Sequence, residues 1–385
     1  MKKFWFLLAV LCFSSCTATQ RRAIERFDVS VFDYEYFPAR TIGRGETVRV
    51  FDEKIDPNIA EYFTNSFNCK NLDEFFEKTQ TQAMIVVKDD SVVFEKYGTG
   101  FNRNSIVTSF SVAKVFNSAM IGCLIEEGKI ASEKESIAKW LPELLERDAG
   151  FEKITIEDLM KMCSGIKYSE SGIFGDDTET YWNPGLRQLA LEKTKIAEEP
   201  GMHFLYNNYN PLLLGLIIER ASGLSVAEYL SRCLWAKIGA EADASWSLDS
   251  RNDAFEKMES GINATAMDFA RFGCLFRDKG RAMGQQVVSA EWIEKCLADD
   301  GKGLEYYGYK NKWGPQVLKG IDGGCYGYFW YIMRRNDGDS DFFAYGNLGQ
   351  IIYISPKNNT VTVRFGCKYG IDFWDYIRAF YNFSC

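Results

Sequence analysis

The chain has 385 residues and a formal net charge of −8 at pH 7, with 46% apolar, 15% aromatic and 25% charged residues. That is globular composition, long enough for one large domain or two smaller ones, and the absence of low-complexity runs argues against a disordered chain. An acidic balance without basic clusters counts against nucleic acid as the partner. In chain order, Lys2 and Lys3 precede the apolar run Phe4 to Phe13, followed by Ser14, Ser15 and Cys16. A basic start, a short apolar stretch and small residues before a cut predict a secretory signal over 1–15. The run is too short to span a bilayer as a helix, and no later segment is apolar enough to cross one.

Residues 16–74 predict a tether and N-terminal extension, polar and aromatic by turns with no sustained period. Ala83–Lys88 and Val92–Tyr97 are β-rich runs joined by Asp89, Asp90 and Ser91, which predicts a hairpin. From Ser111 to Gly128 the chain is apolar nearly all round, which fits a helix inside the core with Gly128 as its stop. Helical patterns fill 131–300: Ile154–Met162, Pro211–Ala221 ended by Gly223, Ser225–Lys237 and Ala266–Asp278. Strands follow at Tyr326–Arg335, Phe342–Tyr345, Ile351–Ile354 and Thr360–Phe365, the last two flanking a turn at Pro356–Asn359. An aromatic helix over Ile371–Phe383 closes the chain. This order predicts an α/β (α+β) fold: an antiparallel sheet built from both chain ends with flanking helices, plus a mostly helical inserted lobe. The main domain would span 75–385, its helical lobe about 131–300.

Small residues before Cys16 resemble the lipobox of bacterial lipoproteins, with Phe13 where leucine is usual. That resemblance implies lipidation of Cys16 and an exported, membrane-anchored protein of the cell envelope; a plain cleaved signal is the alternative. The other cysteines form no C-x-x-C pair, and several sit among apolar neighbours, as Cys123, Cys233 and Cys274 do. They read as buried thiols.

The chemistry narrows by elimination. A single histidine, His203, rules out multi-histidine metal sites, and cysteine pairs at zinc spacing are missing. Neither phosphate-cradling glycine motif occurs. A Ser-His-Asp triad would have to use His203, which sits in a Pro200–His203 turn better suited to a capping or surface role. What remains is Ser111 with Lys114 one helical turn away on the same face. A lysine in an apolar helix is desolvated, which favours the neutral amine and therefore a proton acceptor. Ser136–Lys139 and Ser164–Lys167 share the spacing, but neither opens an apolar helix. A Y-x-N element at Tyr206–Asn208 stands before an apolar helix and would place a phenol near the lysine. Tyr181–Asn183, Tyr309–Asn311 and Tyr345–Asn347 share that pattern elsewhere.

These residues resemble the serine β-lactamase and penicillin-binding superfamily, whose S-x-x-K motif is well defined. The likeness is greatest to its class C branch, which includes esterases, D,D-peptidases and 6-aminohexanoate-dimer hydrolases. SFSVAKVFNSAMIG, ITIEDLMKMCSGIKYSES, PGMHFLYNNYNPLLLGLIIERASGLSVAEYL, SGINATAMDFARFGCLF and YGNLGQIIYISPKNNTVTVRFG follow the family's order across roughly 75–385. The resemblance implies a β-lactamase/transpeptidase-like serine hydrolase working through an acyl-enzyme. It implies Ser111 as nucleophile, Lys114 as its activator, Tyr206 as general base, and an oxyanion hole from the backbone N–H groups of Ser111 and Gln350. Asn208, Asn347 and Gly349 would bind substrate, and Tyr168 and Glu170 would line the pocket. β-Lactamases have K-T-G at the third motif; here it is Asn347-Leu348-Gly349, so the cation that would hold a substrate carboxylate is missing. The expected substrate is a small ester or amide, or a peptide, with no metal or organic cofactor required. The alternatives are a D,D-carboxypeptidase or penicillin-binding protein, a non-turnover binding or sensor lipoprotein of the same fold, and a structural surface antigen.

Overall fold

The computed structural model describes residues 17–26, 28–299, 301–302, 306–307 and 324–383; the signal over 1–15 and Cys16 lie outside them. The elements that position the site are helix α1 (Ala18–Arg26), strands β1 (Ala39–Ile42) and β2 (Asp52–Glu53), and helices α2 (Pro57–Ser66) and α3 (Leu72–Thr79). Then come β3 (Thr81–Lys88), β4 (Ser91–Tyr97), β5 (Ile106–Thr108) and α4 (Ala113–Glu126). The middle of the chain supplies α5 (Asp176–Trp182), α6 (Tyr209–Ser222), β6 (Ala244–Ser247), β7 (Ile262–Thr265) and α7 (Ala266–Arg277). The last part supplies β8 (Cys325–Tyr326), β9 (Tyr331–Arg334), β10 (Ser340–Gly346), β11 (Gln350–Ser355), β12 (Thr360–Gly366) and α8 (Phe373–Phe383).

The main sheet runs β8-β9-β10-β11-β12-β3-β4-β2, antiparallel except for the short β2–β4 edge. Strand β12 pairs with β3, so the two ends of the chain meet in the middle of the sheet, as the sequence predicts. Side chains alternate across it. Phe365 stacks on Phe269 of α7 at 4.7 Å. One residue earlier, Arg364 points to the other face, its guanidinium 4.8 Å over the ring of Tyr376 in α8. Helices α2, α3 and α8 cover that second face through an aromatic cluster, in which Phe63 meets Phe380 at 6.0 Å and Phe67 stacks on Phe75 at 4.1 Å. The β3–β4 turn places Asp89 and Asp90 at positive φ (47° and 57°), the geometry that matches the strand twist in a two-residue hairpin loop.

Helix α4 is buried on every side from Ala113 to Leu124, which explains its apolar circumference. Phe116 stacks on Phe272 of α7 at 3.7 Å. On another side, the Trp292 indole lies flat on Gly122 and donates to the Ser118 carbonyl at 2.9 Å. A second, four-stranded sheet, β1-β6-β7-β5, lies beside it and was not foreseen within the helical lobe. Three predicted spans also change. Tyr326–Arg335 breaks into β8 and β9 because Phe329 takes a positive φ of 68° and sends its N–H to the Met160 carbonyl. Ser225–Lys237 becomes a short helix, Val226–Leu230, continuing as a π-turn through Trp235. Ile154–Met162 shortens to Ile156–Met160 behind a Thr155–Asp158 capping box. The eight cysteines among the described residues are free thiols, and six are buried.

The packing of Trp292 on Gly122 gives a direct test of α4 placement. A Cβ at Gly122 would lie 2.3 Å from Trp292 Cδ1, so Gly122→Ala forces the indole or the helix to move. Overpacking of this kind costs about 1–3 kcal/mol, read as a lower urea midpoint; an unchanged midpoint would contradict this packing.

Candidate active site

Ser111 sits in a 3₁₀ turn, Phe110–Val112, that leads directly into α4. The turn is fixed from the β7 side: Ser109 N–H donates to the Ile262 carbonyl at 2.9 Å and Ser109 Oγ to the Ser260 carbonyl at 3.1 Å. Phe110 is held at φ 42°, a left-handed conformation that a bulky residue adopts only when its surroundings impose it. Strain of this kind immediately before a serine marks a side chain aimed by the fold.

Lys114 is 1% exposed. Its Nζ donates to Ser111 Oγ at 3.0 Å and to the Glu259 carbonyl at 3.0 Å. One turn on, Asn117 Nδ2 donates to the Met258 carbonyl at 3.1 Å, so the same loop grips the helix twice. Burial pushes the Lys114 ammonium down to about 7, opposed by the charge of Glu259. That carboxylate does not pair with Lys114. Its Oε1 takes the buried Lys257 ammonium at 3.1 Å and the Ser260 hydroxyl at 2.7 Å. Lys257 is further enclosed by the rings of Tyr181 and Phe37, at 4.1 and 4.6 Å, and donates to the Tyr181 carbonyl. Two buried lysines thus meet the same residue, Lys257 at its carboxylate and Lys114 at its carbonyl.

Tyr206 approaches from the loop before α6, its ring centroid 4.9 Å from Lys114 Nζ. The loop is tied down by Leu205 N–H on the Met162 carbonyl and by Asn207 Nδ2 on the Ile166 carbonyl, at 2.8 and 2.9 Å. The two asparagines therefore divide their work: Asn207 holds the loop, and Asn208 faces the cleft. Burial pushes the Tyr206 phenol well above its ordinary value, and a hydrogen bond with Ser111 only partly offsets this.

The third motif stands across the cleft. Gln350 begins β11 opposite Gly346 of β10, and Gly346 lies against Ser109 and Phe110. The Gln350 side chain is buried, donating to the Asn347 and Gly366 carbonyls and accepting from Gly366 N–H, at 2.9, 2.7 and 3.0 Å. Behind the turn, buried Arg364 donates to the carbonyls of Leu348 and Gly349, both at 2.9 Å, and also to Thr79, Thr81 and Lys368. Gly349 has φ 83°, and a Cβ there would lie 2.6 Å from Arg364 Nη1; only glycine satisfies both conditions. Asn347 Oδ1 accepts from the Tyr369 hydroxyl at 3.1 Å.

A cleft of about 450 Å³ brings together Ser111, Asn208 and Asn347. Asp28, Asp177 and Glu259 are also among its lining residues, Glu259 with its carboxylate buried against Lys257, and there is no lysine, arginine or histidine among them. Tyr168 lies behind this wall, its hydroxyl accepting from Asn208 Nδ2 at 3.0 Å. Glu170 is exposed and outside the lining, acting on Tyr206 and Tyr168 through its charge. The competing motifs resolve differently. Ser136 caps a 3₁₀ turn while Lys139 pairs with Glu135. Ser164 donates to Asn210, and Lys167 is exposed. His203 pairs through Nδ1 with Glu198 at 3.0 Å. Sequence reasoning missed Arg364, Lys257 and Glu259; an arginine in the apolar strand Val361–Phe365 was the one available signal.

Comparison with known proteins places this geometry. A 6-aminohexanoate-dimer hydrolase of Paenarthrobacter ureafaciens is 28% identical over 308 residues, covering 76% of this chain and 74% of the relative. A solved structure from Bacillus anthracis, provisionally assigned as a 6-aminohexanoate-dimer hydrolase, superposes with a TM-score of 0.77 at 24% identity over 92% of each chain. A class C β-lactamase shares the fold with a TM-score of 0.60 at 14% identity, covering 84% of this chain and 94% of its own. The beta-lactamase family model matches residues 70–366, and with Ser111 lining the cleft and buried Lys114 in contact with it, the chain belongs to the β-lactamase family of serine hydrolases.

Proposed function

We propose that this protein cleaves a small amide or ester through an acyl intermediate on Ser111. The observation that carries the reading is Lys114 Nζ, buried and 3.0 Å from Ser111 Oγ, with its ammonium destabilised to about 7. Near neutral pH a large fraction is free amine, able to take the serine proton as Oγ attacks the carbonyl. Tyr206 stays a neutral phenol in the free enzyme, because burial disfavours its anion. The resting base is therefore Lys114. Tyr206 passes a proton to the leaving amine or alcohol and recovers one from the Lys114 ammonium. The backbone N–H groups of Ser111 and Gln350 receive the developing oxyanion, with Gly349 and Arg364 fixing the turn that presents Gln350. Asn208 and Asn347 orient the substrate, and water then attacks the acyl group to free Ser111.

The cleft argues about substrate through its charge. Asn347 stands in place of a lysine, and the acidic lining residues Asp28 and Asp177 are joined by no cation, the charge of Glu259 being met by Lys257, so a substrate carboxylate would find no partner there. This favours neutral or amine-bearing substrates over β-lactams and D-Ala-D-Ala peptides. The similarity to a protein named for a 6-aminohexanoate dimer supports an amide as the bond cleaved.

Intact mass after exposure to a fluorophosphonate tests the nucleophile: one adduct on the parent and none on Ser111→Ala. Adduct formation should fall about tenfold per pH unit well below 7, because protonated Lys114 cannot accept the serine proton, and level off above it. A rate that is flat from pH 5 to 9, or no adduct on folded protein, would contradict the reading. Stoichiometric labelling without turnover of any ester or amide would favour the sensor alternative.

We further propose export and lipidation at Cys16. Thr17 caps α1, exchanging hydrogen bonds with Gln20 at 3.0 and 3.2 Å. Ala23, which lines the cleft, lies about 9 Å further along at helical rise. A lipid on Cys16 would hold the cleft close to the membrane surface. Cys16→Ser should abolish palmitate labelling in cells; unchanged labelling would contradict the anchor.

A further inference from the structure

The family domain begins at residue 70, yet part of the substrate cleft comes from before it. Ala23, Asp28 and Val29 line the same cleft as Ser111 and Asn347. These residues are held in place by anchors on both sides. On the N-terminal side, Thr19 Oγ1 donates to Glu179 Oε2 at 3.1 Å, and Arg22 Nη1 donates to the carbonyls of Asp249 and Trp182 at 2.7 and 3.3 Å. The bonds to Glu179 and Trp182 fasten α1 to α5, whose Asp177, Thr178 and Tyr181 form the neighbouring wall. On the C-terminal side, Arg26 pairs with Asp33 at 3.1 Å. Asp33 is 2% exposed and also accepts from the Tyr181 hydroxyl at 2.8 Å. Two residues earlier, the Val31 carbonyl accepts from Thr108 Oγ1 at 2.9 Å, three residues before the nucleophile.

A segment that only tethered the domain would not need a buried carboxylate and a guanidinium donating to two main-chain carbonyls. Its ordering costs conformational entropy at each residue, and two of the residues that hold it, Tyr181 and Trp182, themselves line the cleft. We propose that Ala23, Asp28 and Val29 form the outer wall of the substrate cleft and limit the size of the group that reaches Ser111. This reading rests on the serine hydrolysis proposed above. The small side chains of Ala23 and Val29 leave the cleft its present depth. A larger side chain there shortens it, and loss of an anchor lets the wall swing away.

The test is the profile of kcat/KM across two ester series, p-nitrophenyl esters from acetate to octanoate and acetate esters from phenyl to naphthyl, for the parent, Ala23→Trp and Arg22→Ala. Ala23→Trp should lower the value for the largest member of at least one series tenfold more than for its smallest member. Arg22→Ala should move the profile the other way, toward larger members. If Ala23→Trp instead undocks α1, it will show the Arg22→Ala profile, which also supports the wall. Profiles that superpose on the parent's in both variants, in proteins that still form the fluorophosphonate adduct, overturn the proposal. Absence of the adduct in the parent would overturn the hydrolase reading itself, and the wall's role with it.

Discussion

The arrangement depends on one constraint: an amine must be kept out of water without being given a counter-ion. Holding Lys114 near 7 when its ordinary value is 10.5 corresponds to on the order of 5 kcal/mol. The sign follows from the depressed value. The folded state binds fewer protons than the unfolded chain, so the cost is fully present below about pH 7 and fades as pH rises toward 10.5. The rest of the fold offsets it. Helix α4 is apolar all round because it must pass through the core to deliver the amine there. The loop before β7 then receives that amine on a carbonyl and not on a carboxylate. Glu259 is the residue that could spoil the arrangement, and Lys257 occupies its carboxylate. Removing Lys257 would leave a buried anion whose nearest remedy is Lys114, raising its pKa and removing the base.

The opposite wall follows a second logic, in which charge is used for scaffolding and withheld from the cleft. Arg364 spends its donors on backbone carbonyls and the Thr81 hydroxyl. Its guanidinium therefore fixes the Leu348–Gly349 turn from behind. Gln350 does the same for Asn347 and Gly366. The face presented to substrate is left with an asparagine, which distinguishes this cleft from one built to bind a carboxylate. Substrate selection and turn stability are thereby separated onto different residues.

Much of this was legible in the sequence. The S-x-x-K element stood out because Ser111 opens an apolar helix, whereas Ser136 and Ser164 do not, and the structure puts those two in a cap and a buried turn. The sheet from both chain ends followed from the apolar, β-rich runs at residues 83–97 and 342–365 with turn residues between them. The break at Phe329 did not, because a positive φ on phenylalanine is imposed by Met160 from elsewhere in the fold. The Lys257–Glu259 pair was also hidden: charged residues two apart give no local sign of burial, and only the closure of Phe37 and Tyr181 around them makes it. For the same reason residues 18–31 looked irregular. Their order comes from long-range bonds to Asp249, Glu179 and Thr108, which no local period records.

The most direct test of the central claim is the titration of Lys114 itself, by NMR of protein carrying ¹³Cε-labelled lysine, with Lys114→Arg used to assign the resonance. A single lysine titrating near pH 7 in the parent and absent from the variant is the result expected of an unpaired, buried amine poised as base. A Lys114 resonance that titrates above pH 10 would mean the amine is charged at neutral pH, and would contradict its role as the group that activates Ser111.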